Sequence, residues 1–210
     1  MFMMHGDDKG LIIPPPIAPV QIMIVPIFKE NNKKIILKKA DELKKKIEKH
    51  FRVEIDKREE CTPGWKFNEW ELKGVPLRLE LGPKDIENNQ AVLVRRDDGK
   101  KSAVKVSDVI KEAEKILKNI HDKLYKQSEK NFKDSIVEVS TMKQLKKTIK
   151  DKKMALAPFC NKPGCEDWIK EETEGATTRN IPPDKKVEKG VKCIQCKKEA
   201  KVMVYIAKAY

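Results

Sequence analysis

Aromatic residues make up only 6% of this 210-residue sequence, and there are nine glycines and three histidines. No run of about 18 or more apolar residues occurs, which excludes a membrane-spanning helix of ordinary length. The opening "MFMMHGDDKG" starts apolar, but it stops at His5, Asp7 and Asp8 and no small-residue cleavage site follows, so it does not read as a signal peptide. Cysteine is sparse, with five copies, and without a signal these thiols are expected in a reducing cytosol. There they serve as metal ligands or free thiols rather than as disulfides. Internal repeats and long low-complexity linkers are also lacking. Acidic residues fall short of basic ones, 33 against 46, for a formal net charge of +13. That excess predicts an anionic partner, nucleic acid first, with plain solvation of lysine-rich helices as the alternative.

The length allows two small domains. "LIIPPPIAPVQIMIVP" begins with prolines that cannot continue a helix and passes into "VQIMIV", which reads as a buried strand. Ile36, Ala40, Leu43 and Ile47 recur at helical spacing among lysines, predicting an amphipathic surface helix over 33–50. "FRVEID" and "PLRLEL" alternate as strands, the second with a polar face carrying Arg78 and Glu80. "AVLVRR" and "SAVKVS" flank Asp98-Gly99 as a hairpin, after which Ser107 is expected to cap a helix from Asp108 to about Lys126. The polar "SEKNFKDS" is expected to break that helix. A second module follows, with a helix over about 141–150, a strand at "KMALAPFC" and a terminal strand at "AKVMVYIAKAY". Strands alternating with helices place the first domain in the α/β class.

Four of the five cysteines fall in the second module, Cys160 and Cys165 in "CNKPGC" and Cys193 and Cys196 in "CIQC". Two such pairs can close a tetrahedral thiolate site from two turns, the arrangement of a structural Zn2+ with no open coordination position. No thioredoxin-like pattern surrounds Cys193, which weakens a redox reading. Cys61 stands alone and reads as a packing residue. His5, Asp7 and Asp8 read as a loop, and His50 and His121 as residues near helix ends.

The scarce aromatics and glycines concentrate in "TPGWKFNEWELKGVPLRLELGPKD", Thr62 to Asp85. A short helix closed by Gly74, followed by a strand launched at Pro76, would let Glu71 and Arg78 face one another. A carboxylate can accept from guanine N1 and its exocyclic amine while arginine donates to O6 and N7. The alternative is a surface salt bridge of little energetic consequence.

"HGDDKGLIIPP", the Thr62–Asp85 stretch, "ALAPFC", "KCIQC" and the terminal "KAY" together resemble, in collinear order, the C-terminal half of prolyl-tRNA synthetase of the archaeal and eukaryotic-like type. The resemblance implies a mixed-sheet α/β anticodon-binding domain over 17–130, preceded by a remnant of the class II catalytic domain at 1–16 and followed by a small α+β zinc-binding domain at 131–210. It implies that Glu71, Arg78, Lys84 and Lys100 contact the anticodon of tRNA(Pro), whose members share guanines at the second and third places. It also implies that Cys160, Cys165, Cys193 and Cys196 hold zinc and that Tyr210 lies at an interface with the catalytic domain. For the full-length enzyme the resemblance implies a cytoplasmic homodimer that uses ATP and Mg2+ to attach proline. The sequence departs from the family before "HGDDKGL", where the missing catalytic domain would stand, so it reads as a fragment, a split gene or a misread start, inactive alone. A free-standing, synthetase-derived tRNA-binding protein is the competing function, and a zinc-ribbon DNA-binding protein a weaker one, because no recognition helix follows the cysteines.

Overall fold

A computed structural model describes residues 4–209. They form two compact units, one reaching Ser128 and the other starting at Glu129. The architecture is mixed α/β, with a five-stranded sheet in the first unit and a four-stranded one in the second.

The first unit opens with a small hairpin, β1 (Gly6–Asp7) and β2 (Gly10–Leu11). The proline cluster then makes one 3-10 turn, Pro15–Ile17, where the sequence predicts no helix of any kind. Then follow β3 (Ile22–Pro26), α1 (Lys33–Ile47), β4 (Val53–Ile55), α2 (Pro63–Leu72), β5 (Leu77–Leu81), α3 (Pro83–Glu87), β6 (Gln90–Arg95), β7 (Lys101–Lys105) and α4 (Val109–Ser135). The sheet order is β4-β3-β5-β6-β7, parallel around β3 and antiparallel from β5 to β7.

Period-2 alternation gives this sheet two distinct faces. One carries Ile22, Ile24, Leu77, Leu79, Leu81 and Leu93 against Ala40, Leu43 and Ile47 of α1 and Val109, Ala113 and Leu117 of α4. The other buries Met23 and Val25 with Val75, Phe67 and Trp70 under α2. On this second face the registers align Met23, Arg78, Val94 and Lys101 in one row, and Val25, Glu80, Val92 and Ala103 in the next. The expected polar face of β5 is therefore real but buried, because α2 lies over it: Arg78 and Glu80 are each only 7% exposed.

Thr62 caps α2 by accepting from the Trp65 N–H, with Pro63 in the first turn where a missing N–H costs nothing. The helix ends in a Schellman arrangement: Val75 N–H donates to the Trp70 carbonyl at 3.1 Å and Gly74 N–H to that of Glu71 at 3.0 Å. Gly74 sits at φ +73°, and a Cβ there would come 2.6–2.8 Å from Leu11. Gly74→Ala is accordingly expected to destabilise the first unit by more than about 1 kcal/mol, read as a lowered denaturant midpoint. An unchanged midpoint would show that the hairpin and helix end are free to separate.

Two sequence expectations fail along α4. The helix does not break at the polar segment but continues to Ser135, and its first bond, Glu112 N–H to the Asp108 carbonyl, starts one residue after Ser107. His121 consequently lies well inside a helix rather than near its end, with Nδ1 buried and unpaired.

The second unit continues with β8 (Ile136–Glu138), α5 (Met142–Lys150), β9 (Met154–Phe159), α6 (Pro163–Glu172), β10 (Ala176–Thr178) and β11 (Val202–Lys208), in sheet order β10-β11-β9-β8. Thr141 and Gln144 form a reciprocal capping box at the start of α5. The core collects Leu145, Ala155, Ala157, Phe159, Ile169, Val204 and Ile206 together with Cys160 and Cys193.

Candidate nucleic-acid interface and metal centre

Beneath α2 the sequence assembles a network of charge that periodicity alone does not reveal. Asp56, at the end of β4, has a side chain only 1% exposed and takes Arg58 Nη2 at 2.6 Å and Trp70 Nε1 at 2.9 Å. Burial pushes its carboxyl up, but the hydrogen bonds from Arg58 and Trp70 reverse this and hold it well below the usual carboxylate range. Lys66 of α2 is itself buried and donates to the backbone carbonyls of Asp56 and Arg58. Arg58 also reaches Glu69 at 2.5 Å and lies 5.1 Å from the Trp65 ring. The network fixes α2 to the strand below it, and so sets where Phe67 and Glu71 stand.

On the sheet beside α2, Arg78 meets three groups. Its Nη1 donates to Glu71 Oε1 at 2.8 Å, and its Nε and Nη2 donate to Glu80 Oε1 at 3.1 and 3.0 Å. Its guanidinium lies 4.1 Å from the centre of the Phe67 ring. Glu71 keeps a quarter of its side chain exposed, so one end of this buried group opens to solvent. Trp70, Val75, Val94, Arg95 and Arg96 complete a small notch around it. The structure thus brings Glu71 and Arg78 together.

Among the described residues no hydrogen bond or ion pair joins Lys84 or Lys100 to that pair. Lys84 is exposed on α3, and Lys100 is exposed in the β6–β7 turn with Nζ 3.9 Å from Asp98. The next residue, Lys101, reaches inward instead, with Nζ 3.3 Å from Glu80 Oε2 and 6.0 Å from the Phe67 ring. Hairpin register decides this, since Lys101 shares a row with Arg78 and Val94. The sequence signals for Phe67, Glu80 and Lys101 were present only as strand alternation and as an aromatic in the α2 stretch.

Asp7 of the opening hairpin pairs with Arg96 through both carboxylate oxygens, at 2.6 and 2.8 Å, while Arg96 Nε donates to the Glu71 carbonyl at 2.7 Å. The hydrogen bond from Arg96 holds the Asp7 carboxyl down at about 2. Asp7 therefore secures the hairpin beside the end of α2.

In the second unit one sulfur atom from each of Cys160, Cys165, Cys193 and Cys196 lies within 4.8 Å of all the others. Cys160 follows β9, and Cys165 stands in the first turn of α6 rather than in a turn as the spacing suggests. Cys193 and Cys196 occupy a knuckle held by Cys193 N–H to the Lys198 carbonyl at 2.7 Å and docked to β9 by Ile194 N–H to the Pro158 carbonyl at 2.9 Å. The Cys160 and Cys165 sulfurs are 3.4 Å apart, far beyond a disulfide bond and close to the roughly 3.8 Å edge of a tetrahedral four-thiolate site. The Lys198 backbone N–H pulls the Cys196 thiol down to about 7, whereas burial pushes Cys165 up to about 12. This set can bind a metal ion. Tyr210 lies outside the described residues.

Residues 21–116 match the family model described as anticodon binding domain, and residues 142–210 the one described as prolyl-tRNA synthetase, C-terminal. The chain belongs to the prolyl-tRNA synthetase family. It is 44% identical to a proline–tRNA ligase of Alkaliphilus oremlandii over all of its own length and 43% of that protein's. Against that of Natranaerobius thermophilus the identity is 42%, over all of this chain and 44% of the relative. Against that of Thermofilum pendens it is 40%, over 98% of this chain and 43% of the relative. The chain thus spans less than half the length of the relatives it matches, as their C-terminal part. No helix among the described residues is long and apolar enough to cross a membrane.

Proposed function

We propose that this chain is the tRNA-recognition part of a cytoplasmic proline–tRNA ligase and that it reads the guanines of the tRNA(Pro) anticodon. The observation that carries the proposal is the Glu71–Arg78 pair, open to solvent on its Glu71 side at the α2–β5 notch, inside the segment that matches an anticodon-binding domain. A guanine entering there can exchange partners with the pair, its N1–H and amine going to Glu71 and its O6 and N7 to Arg78. Lys84 and Lys100, both exposed, contribute charge toward phosphate or base edges. We assign the anticodon role to residues 17–130 and the zinc role to 131–210, with 1–16 belonging to the catalytic part.

The four cysteines fit a tetrahedral zinc, whose thiolates would leave no position for water or substrate, so its contribution is to the fold of the second unit. ATP, Mg2+ and proline would be handled in the catalytic part of a full-length homodimer, with Tyr210 at the interface to it. Proline activation requires a pocket that aligns nucleotide and amino acid. The 210-residue chain is therefore expected to show no proline-dependent ATP–pyrophosphate exchange alone, while a separately made catalytic part charges tRNA(Pro) better when this chain is added. Exchange by the chain alone, or no gain in charging on its addition, would refute the assignment.

A further inference from the structure

Glu80 is a carboxylate on a buried sheet face, in a row whose other members, Val25, Val92 and Ala103, are apolar. Its register neighbours are Val25 on β3 and Val92 on β6, its side chain is 9% exposed, and its hydrogen-bond partners among the described residues are Arg78 and Lys101. As a source of stability this is a poor choice, since a buried ion pair does little that a well-packed apolar pair would not do. Its geometry accounts for it better.

An arginine has five N–H donors in a rigid fork. Glu80 Oε1 occupies the side edge, taking Nε and one hydrogen of Nη2, and Phe67 covers a face of the guanidinium at 4.1 Å. Edge and face together fix both the plane and the direction of the fork, whether or not Glu71 is engaged. Once Glu71 turns to a base, Nη1 and the outer hydrogen of Nη2 remain as the paired donors at the tip, the arrangement that fits guanine O6 and N7. Glu80 Oε2, facing Lys101 Nζ at 3.3 Å, keeps a second cation beside the same edge.

We propose that Glu80 is a positioning residue for guanine recognition, fixing Arg78 through its side edge and holding Lys101 alongside, so that Arg78 is aimed before the base arrives. The inference rests on the reading of Glu71 and Arg78 as guanine-binding groups.

The test uses the full 210-residue chain and anticodon stem–loop RNAs of tRNA(Pro) in which each anticodon guanine in turn is replaced by 7-deazaguanine, which lacks N7, or by inosine, which lacks the amine. The first replacement reports Arg78 and the second Glu71. For the unaltered chain each is expected to weaken binding about tenfold at the position that occupies the notch. Glu80→Gln should lower the 7-deazaguanine penalty to under about twofold while retaining the inosine penalty, and Glu80→Asp, which keeps the charge but draws it back, should fall between. A merely structural role would weaken every RNA alike and leave both penalties intact, and that result from either variant overturns the inference. If the unaltered chain shows neither penalty, the base-reading proposal itself fails and this one with it. If it shows both and the variants leave the 7-deazaguanine penalty unchanged, only the role of Glu80 is lost.

Discussion

Cys193→Ser is expected to deprive the chain of a tightly held zinc and to loosen residues 129–210 while residues up to 128 stay folded. Cys193 is fully buried in the core of its unit, packed with Cys160, Phe159 and Ile194, and its backbone closes the knuckle. Serine supplies a poorer ligand and sets a hydroxyl in an apolar cluster, so metal binding and packing fail together. Binding by structural thiolate sites is folding free energy, and losing it should cost on the order of 3 kcal/mol or more. For a unit of this size that lowers the melting temperature by roughly 12–24 °C. Metal analysis with calorimetry of both proteins checks this. A metal-free parent under reducing conditions, melting as the variant does, would remove zinc from the account.

The second large effect is expected at Arg78. Replacement by alanine removes the proposed donors to O6 and N7 and leaves Glu80 buried with Lys101 as its remaining hydrogen-bond partner among the described residues. Binding to an RNA with the proline anticodon should fall by about 1–3 kcal/mol, and preference over an RNA lacking those guanines should largely vanish. Unspecific affinity, which depends on the net charge of +13, should change little and keep its salt dependence. Equal weakening toward both RNAs would assign Arg78 to phosphate instead. Because a lone Glu80 destabilises the notch, the melting curve of the variant is measured alongside.

The sequence pattern carries the elements whose faces are strongly periodic. Ile36, Ala40, Leu43 and Ile47 all lie in the core as their spacing predicts, and the Asp98-Gly99 hairpin and the buried strand in "VQIMIV" are present. Failures occur where polarity was equated with a break. "SEKNFKDS" holds no glycine or proline, so a solvated helix passes through it and takes His121 into the helix interior. The Cys160–Cys165 spacing reads as a turn, yet Pro163 at the first helical position starts α6, which carries Cys165. At the candidate site, alternation places Arg78 and Glu80 on one face but is silent about the helix that covers it. Buried Lys66 has no signature, because its partners are the backbone carbonyls of Asp56 and Arg58. The choice between Lys100 and Lys101 depends on a register that only the paired strands reveal.

The most direct test is equilibrium binding of the 210-residue chain to transcripts of tRNA(Pro) differing only at the two shared anticodon guanines, each replaced by adenine, at a fixed salt concentration. The account predicts at least about a tenfold loss of affinity, or about 1.4 kcal/mol, for a replacement at the base held by Glu71 and Arg78. Indistinguishable affinities for the native and both replaced transcripts would contradict it.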